Sequence, residues 1–178
     1  MELTINGKTY QLKFNFASLK LWEEKITDDD NKKQDDDSIF DTLFTGLATK
    51  NPRVLVDIVN GGLAYLDKDK PSYGEIFDAV SELMGTKGLD QTAEDLMSEL
   101  TAFGFFKVSM KQWSNFIKEQ FNNLEKLHKQ LKKPAKTAKQ EAKERYDQQV
   151  ALYQTSKSQF GPMLADFDKM LKNTGITL

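Results

Sequence analysis

The chain has no cysteine and a single histidine, and these two shortages exclude several kinds of functional site. Disulfide bonds and thiolate metal ligands both require cysteine, so neither can form. A zinc site built from two histidines is excluded as well, because His128 has no second histidine to join it. The lack of cysteine also favours a cytosolic location.

Signatures of catalysis are missing too. A serine nucleophile would need His128 as its base, and the sequence has no G-x-S-x-G segment. It has no P-loop and no G-x-G-x-x-G pattern, so no nucleotide-binding loop is indicated. Glu23 and Glu24 form a carboxylate pair, but they lie in a polar run. We therefore predict that the protein is not an enzyme and has no catalytic, cofactor-binding or metal-binding residues.

Long apolar runs are also absent. A transmembrane helix needs roughly 20 consecutive apolar residues, and no segment of this sequence approaches that length. The N-terminus lacks the basic and then apolar pattern of a secretory signal. Since 29% of the residues are charged, we expect a soluble intracellular protein without a membrane partner.

Charge is distributed unevenly along the chain. Residues 1–110 contain 20 acidic and 12 basic side chains, a net charge of −8, whereas residues 111–178 contain 7 and 13, a net charge of +6. The formal net charge of −2 therefore conceals two oppositely charged parts. Such a distribution fits either head-to-tail self-association or an acidic partner for the C-terminal part.

A basic strip between residues 126 and 145 raises nucleic-acid binding as an alternative, because lysines at this density can follow phosphates. Only one arginine, the preferred reader of base edges, lies in the strip, and no helix-turn-helix or RNA-binding signature accompanies it. The strip consists of Lys126, Lys129, Lys132, Lys133, Lys136, Lys139, Lys143 and Arg145.

The clear β-strand pattern is confined to the N-terminus. Asn6-Gly7 predicts a type I′ hairpin turn, because both residues tolerate positive φ. An isolated two-stranded hairpin is marginal in water, so this one needs support from helices, and its edges are available to a neighbour. Apolar residues alternate with polar ones on both sides of the turn: Leu3 and Ile5 before it, and Tyr10, Leu12 and Phe14 after it.

Helical spacing begins at Phe16 and predicts a first helix that includes Trp22. Residues 27–37 read TDDDNKKQDDD, which predicts a solvated loop. A calcium loop is not indicated, because the mid-loop glycine and closing glutamate of an EF-hand are missing.

Four further helices are predicted up to residue 103. Ser38 with Asp41, and Ser72 with Glu75, have the spacing of a capping box. Pro52 suits the first turn of the helix between these two. Gly61-Gly62 either kinks that helix or permits close packing, residues 68–71 form a loop, and Gly85 ends the helix capped by Ser72. The fourth of these helices covers residues 90–103.

The strongest helical period lies in residues 105–131. Trp113, Phe116, Ile117 and Phe121 form its aromatic and aliphatic stripe, which predicts burial against the body or against another chain. Lys132-Lys133-Pro134 ends or kinks this helix. Residues 135–153 have a thin apolar stripe, so they either pair antiparallel with 108–131 or become ordered only with a partner. A last short helix follows Gly161-Pro162.

Together these patterns predict a mainly α fold with a small N-terminal β-hairpin, in the α+β class. We expect a helical bundle body and a long C-terminal helical extension. The predicted domains are residues 1–104, which hold the hairpin and the first helices, and residues 105–178, which form a helical hairpin or extension.

The order of these segments resembles a known protein family over roughly residues 1–103. The hairpin reads LTINGKTYQLKFNF at residues 3–16, and an acidic loop follows the first helix. LFTGLA at residues 43–48, Asn51-Pro52 and Pro71-Ser72-x-x-Glu75-Ile76 come next in the same order. This arrangement resembles the tail assembly chaperones of long-tailed, siphovirus-type phages that infect Gram-positive bacteria.

The resemblance implies a non-enzymatic role in building the phage tail. Members of that family coat the long helical tape measure protein, recruit subunits of the major tail (tube) protein, and associate into open spiral assemblies. They act in the host cytoplasm and are absent from the mature virion. Many are made in two lengths through a ribosomal frameshift, and both the short and the long product remain open here.

Two segments are candidates for contact with an adjacent subunit. One is the hairpin with the first helix, and the other is the 105–131 helix, although the same side chains could be core residues. A permanent structural component of the virion and a nucleic-acid-binding regulator remain the alternative functions. The candidate interaction residues are Tyr10, Leu12, Phe14, Trp22, Trp113, Phe116, Ile117 and Phe121.

Overall fold

Two short strands and seven helices follow one another in the computed structural model, which describes residues 1–29, 36–135, 137 and 139–177, with the backbone alone at 25–29 and 36–38. The predicted fold class, mainly α with a small N-terminal β-hairpin and a long C-terminal helix, is confirmed. The elements are β1 (Glu2–Ile5), β2 (Lys8–Gln11), α1 (Phe16–Asp29), α2 (Asp36–Ala48), α3 (Pro52–Gly62), a 3₁₀ segment (Ala64–Asp69), α4 (Tyr73–Lys87), α5 (Leu89–Ala102), α6 (Gly104–Gln130) and α7 (Gln140–Asn173).

The hairpin forms where the Asn-Gly pair predicted it. Asn6 and Gly7 have φ angles of 51° and 76°, as a type I′ turn requires. Strands β1 and β2 pair antiparallel, and Leu3 lies opposite Tyr10. Beyond β2, the Lys13 N–H donates to the carbonyl of Gly62 at 2.8 Å. The hairpin is therefore fixed to the C-terminal end of α3.

Side-chain caps explain where two helices begin. Asn51 caps α3 by accepting a hydrogen bond from the Arg53 N–H at 3.0 Å, and Pro52 occupies the first turn. Ser72 caps α4, and Glu75 accepts in return from the Ser72 N–H at 2.8 Å. Both predicted helix starts are confirmed.

Other predicted boundaries were wrong. Helix α2 begins at Asp36, so Ser38 lies inside it and is not its N-cap. Helix α4 passes through Gly85 to Lys87, because Gly88, with φ of 87°, supplies the cap conformation three residues later. The predicted 68–71 loop is shortened by the 3₁₀ segment. Of the predicted loop at 27–37, residues 30–35 lie outside the described residues, and its flanks are helical.

The buried side chains that the structure describes form one hydrophobic cluster, with α3 at its centre. Leu55, Ile58 and Val59 are fully buried, and the cluster continues through Trp113 of α6 and Phe167 of α7. Residues on both sides of the predicted domain boundary at 104/105 therefore contribute to the same core. The division into two domains stays a prediction.

Helices α6 and α7 run antiparallel. Trp113, in the first half of α6, meets Phe167 near the end of α7, with ring centroids 5.0 Å apart. His128, near the end of α6, stacks on Tyr153 in the first half of α7, with centroids 3.8 Å apart. The Lys132-Lys133-Pro134 segment ends α6, as one of the two predicted alternatives stated.

The predicted separate last helix was wrong, because α7 is continuous through Pro162. An interior proline costs a helix about 3 kcal/mol. Met163 and Leu164 directly after it are buried, and so are Phe167 and Leu171 further along. Burial of this C-terminal segment against the body outweighs the local preference for a break.

Candidate interaction surface

The candidate residues of the hairpin and first helix lie in the core. Leu12, Phe14 and Trp22 are between 2% and 7% exposed, and Tyr10 is half-buried. The Trp22 ring packs on Phe14 and meets the ring of Phe106 at a centroid distance of 5.7 Å. Its Nε1–H donates to the carbonyl of Asp57 at 2.8 Å. These side chains hold the hairpin on the body, so in the folded chain they offer little surface to a partner.

The candidate residues of α6 divide between two faces. Trp113 is buried and donates from Nε1 to Oδ1 of Asp41 at 3.1 Å. Ile117 and Phe121 are half-buried and pack against the core. Phe116 points outward and is 56% exposed. It is therefore the candidate from this helix that a partner could reach.

An exposed aromatic patch lies at the junction of α1 and α6, and it is not among the interaction residues predicted from the sequence. Phe16 is 69% exposed, and its ring centroid lies 5.9 Å from Phe105 and 6.0 Å from Phe103. A signal was available in the adjacent pair Phe105-Phe106, because adjacent residues of a helix point about 100° apart, so at the edge of a buried face only one of the two is covered. Phe106 is fully buried, so Phe105 projects towards the surface.

The distal halves of α6 and α7 form an arm, which we define as residues 115–162. None of the arm's described side chains is buried, whereas Ser114 before it and Met163 after it are. Its seam is half-buried, with His128 stacked on Tyr153. Leu127 and Leu152 lie outside the seam and are 61% and 63% exposed. The arm is thus a single layer of two helices, and part of its apolar surface is exposed to solvent.

The arm is also where the positive charge of the chain is concentrated. It contains ten basic and five acidic residues, whereas residues 1–114 contain 13 and 20. At its tip a cavity of about 290 Å³ is lined by Lys133, Pro134, Lys143 and Tyr146, among others. Several basic side chains of the predicted strip are exposed: Lys126, Lys129, Lys132, Lys133, Lys139 and Arg145.

Ion pairs fasten the C-terminal part of α7 to the body. The ammonium of Lys50 lies 2.7 Å from Oδ1 of Asp90 and 3.3 Å from Oδ2 of Asp166. The hydrogen bond from Lys50 lowers the pKa of Asp90, and the same bond raises the pKa of Lys50. Lys118 pairs with Asp168 at 2.7 Å. These ion pairs therefore fix the end of the arm that adjoins the body, and the rest of the arm extends away from the body.

Within the described ranges, no group of three or more histidine, aspartate or glutamate side chains is placed to hold a metal ion. Among the described helices, none combines the length and the apolar character needed to cross a membrane.

The body, rather than the arm, carries the similarity to known proteins. The family model described as phage tail assembly chaperone protein, TAC, matches residues 2–115. The chain belongs to this family. The predicted resemblance is thereby confirmed at the level of phage tail assembly chaperones, while the siphovirus type and the Gram-positive host stay predictions. No curated protein and no solved structure matches the chain.

The matched region ends where the arm begins. It runs from β1 through the buried first half of α6 and stops at Asn115. The patch formed by Phe16, Phe103 and Phe105 therefore lies inside the matched region. The exposed Phe116, Leu127 and Leu152 lie outside it. Membership of the chaperone family implies a non-enzymatic role in tail assembly.

Proposed function

We propose that this protein is a non-enzymatic chaperone that binds the tape measure protein and recruits major tail (tube) protein subunits during tail morphogenesis. It acts in the host cytoplasm and is left out of the mature virion. The observation that supports the proposal most directly is the exposure of the apolar side chains Phe116, Leu127 and Leu152 on the arm, where no described side chain is buried. Exposed apolar side chains on a single-layer extension can cover the apolar stripe of a helical client.

Self-association into open helical oligomers is the second part of the proposal. The arm has an excess of five positive charges, and residues 1–114 have an excess of seven negative charges. An arm that contacts the body of the next copy makes a head-to-tail interface, which generates open helices when the rotation does not close. Such a contact would also extend the chaperone along a client much longer than one subunit.

Co-expression with the tape measure protein of the same phage tests the client. We expect the tape measure protein to be soluble with the chaperone, to co-purify with it, and to be insoluble without it. Mass spectrometry of purified particles should find no chaperone. Equal solubility of the tape measure protein with and without the chaperone would contradict client binding. Stoichiometric amounts in particles would instead support the alternative of a structural virion component.

Light scattering tests self-association. Lys129→Glu with Lys133→Glu reverses two exposed positive charges of the arm. Lys20→Glu with Lys68→Glu is the matched control, because it makes the same two charge reversals at exposed positions on the body. We expect the arm variant to reduce the mean oligomer mass at 50 mM salt, because it weakens attraction to the acidic body. The body variant should not reduce it. An oligomer mass that both variants leave unchanged would rule out the arm as the contact.

The exposed lysines of the arm favour one further candidate function, the binding of nucleic acid as a regulator. Lys126, Lys129 and Lys132 lie close together in the chain and are exposed. Phosphate binding of this kind weakens steeply as salt increases. Filter binding to single- and double-stranded DNA and RNA at 50 mM salt tests this candidate function. The absence of retained nucleic acid would dismiss it.

A further inference from the structure

Helix α6 carries a second apolar stripe on its open side. Phe105, Phe116 and Leu127 are 40%, 56% and 61% exposed and are spaced 11 residues apart. Eleven residues make just over three turns of an α-helix, so the three side chains lie nearly on one line along it. Gln112 and Asn123 fall between them on the same line and are exposed and uncharged. The line is roughly 33 Å long at 1.5 Å per residue.

This stripe is separate from the face that α6 buries. Phe106 and Met110 are fully buried, and the same face continues outward through the half-buried Phe121 towards α7. An amphipathic helix at the surface of a globular protein normally has one apolar face. In α6 one apolar face is covered by the body and α7, and the other is left open.

Both ends of the stripe are widened by other elements. At the body end, the ring of Phe16 lies 5.9 Å from that of Phe105. At the arm end, His128 stacks on Tyr153 of the antiparallel α7. Because antiparallel helices are related by a local two-fold axis, the residues that precede these two lie on the same side of the arm. Leu152 therefore lies on the side of Leu127 and enlarges the exposed apolar surface there.

The form and charge of the stripe indicate what covers it. A line of side chains three helical turns apart fits the side of another helix, which presents residues at the same spacing. The arm that carries its distal half has ten basic and five acidic residues; exposed Lys126 directly precedes Leu127, and exposed Arg145 lies about two turns before Leu152 on α7. Pairing with the same stripe of a second copy would bring two such positive surfaces together.

We propose that the open stripe of α6 binds one amphipathic helix of a partner, lengthwise, with acidic residues beside the partner's apolar stripe. The proposal rests on the proposed function in that it assumes a helical client. It adds the face that is used, the length of helix that is covered, and the sign of charge that is preferred.

The binding of two synthetic helices to the full-length chain tests this proposal. Both probes are 25 residues long with leucine at alternating three- and four-residue steps, and one has glutamate and the other lysine beside the leucines. We expect fluorescence anisotropy to detect binding of the acidic probe, and at least tenfold weaker binding of the basic one. The proposal is overturned if the acidic probe does not bind, or if both probes bind equally.

Three variants locate the binding. Phe116→Gln with Leu127→Gln should weaken binding of the acidic probe at least tenfold, because it removes apolar area from the stripe without changing charge. Phe77→Gln is the matched control, since Phe77 is 46% exposed on α4, and it should leave binding unchanged. Gln112→Leu with Asn123→Leu fills the gaps in the stripe and should tighten binding several-fold. Equal binding by the wild type and the first variant would place the site elsewhere.

Failure of this proposal and failure of the proposed function can be told apart. If the wild type does not keep the tape measure protein soluble, the proposed function fails. If it does so, and the Phe116 and Leu127 variant does so equally well, the proposed function stands and the α6 stripe is not the site.

Discussion

The indole ring of Trp22 occupies the space in which a β-carbon at position 61 would lie, so α1 packs on the bare backbone of α3 at Gly61. The sequence left open whether Gly61-Gly62 kinks the helix or permits close packing. The structure shows close packing at the last turn of α3. The next residue, Gly62, lies against Phe14 and accepts a hydrogen bond from the Lys13 N–H. The two glycines thus seat both the first helix and the hairpin.

Gly61→Ala should destabilise the protein by about 1–3 kcal/mol, the usual cost of overpacking a well-filled core. A methyl group at this position would displace Trp22, which is 2% exposed and held by a hydrogen bond to the Asp57 carbonyl. Urea unfolding followed by tryptophan fluorescence measures the change. Gly85→Ala is the control, because Gly85 lies within α4 with open space around its α-carbon. That substitution should be neutral or stabilise by about 0.5–1 kcal/mol.

The capping box of α4 also holds the turn of the hairpin. Glu75 accepts hydrogen bonds from Ser72 and from the side-chain amide of Asn6, the latter at 2.6 Å. Ser72→Ala should cost about 1 kcal/mol of stability, as the loss of an N-cap typically does. Thermal unfolding should report it, and Ser81→Ala, at a half-buried position further along α4, should cost less, because Ser81 is not at the N-cap.

Stability should fall on acidification in a way that depends on Glu75. The hydrogen bonds from the Ser72 side chain and backbone lower the pKa of Glu75 below its ordinary value of 4.5. Folding therefore favours the charged carboxylate. The contribution of Glu75 to the free energy of unfolding is complete at pH values above its unfolded pKa, and it is lost as the pH falls through the lower pKa of the folded state. The difference in urea midpoint between the wild type and Glu75→Gln should therefore shrink between pH 6 and pH 3. A difference that is constant over this range would contradict the assignment.

Pro162→Ala should stabilise the protein, because it restores a backbone donor inside α7 and removes the ring from the preceding turn. The residue is exposed and lies within a helix that continues to Asn173, so no packing is lost. The gain can reach about 3 kcal/mol and should appear as a higher Tm. If α7 were broken at Gly161-Pro162, as the sequence pattern predicted, the substitution would have little effect.

Hydrogen exchange should show that the arm opens more readily than the body. Its described side chains are at most half-buried, whereas Leu55, Ile58 and Val59 of α3 are fully buried. Amides of residues 118–130 and 140–157 should therefore exchange faster than those of α3. Tyr153→Ala, which removes the partner of His128, should speed exchange in the arm alone. Equal protection in the arm and α3 would contradict a single-layer arm.

Local patterns were sufficient for the elements whose cause is local. Asn6-Gly7 and the Ser72–Glu75 pair act through their own turns, so the hairpin and the start of α4 could be predicted and are present. The break expected at Pro162 failed because distant residues bury the segment after it. Of the candidate interaction residues, Trp22 and Trp113 have the same apolar character as Phe116, and periodicity alone could not tell which would be covered.

Sequence patterns were enough to predict that the chain is mainly helical with one N-terminal hairpin, and that its positive charge lies towards the C-terminus. These properties follow from spacing, turn chemistry and composition, which act within a few residues. That Trp22 fills the space beside Gly61, and that α6 exposes Phe105, Phe116 and Leu127, became visible only in the folded chain. Which of two apolar faces is buried depends on where the other helices pack, and that depends on contacts between residues far apart in the chain.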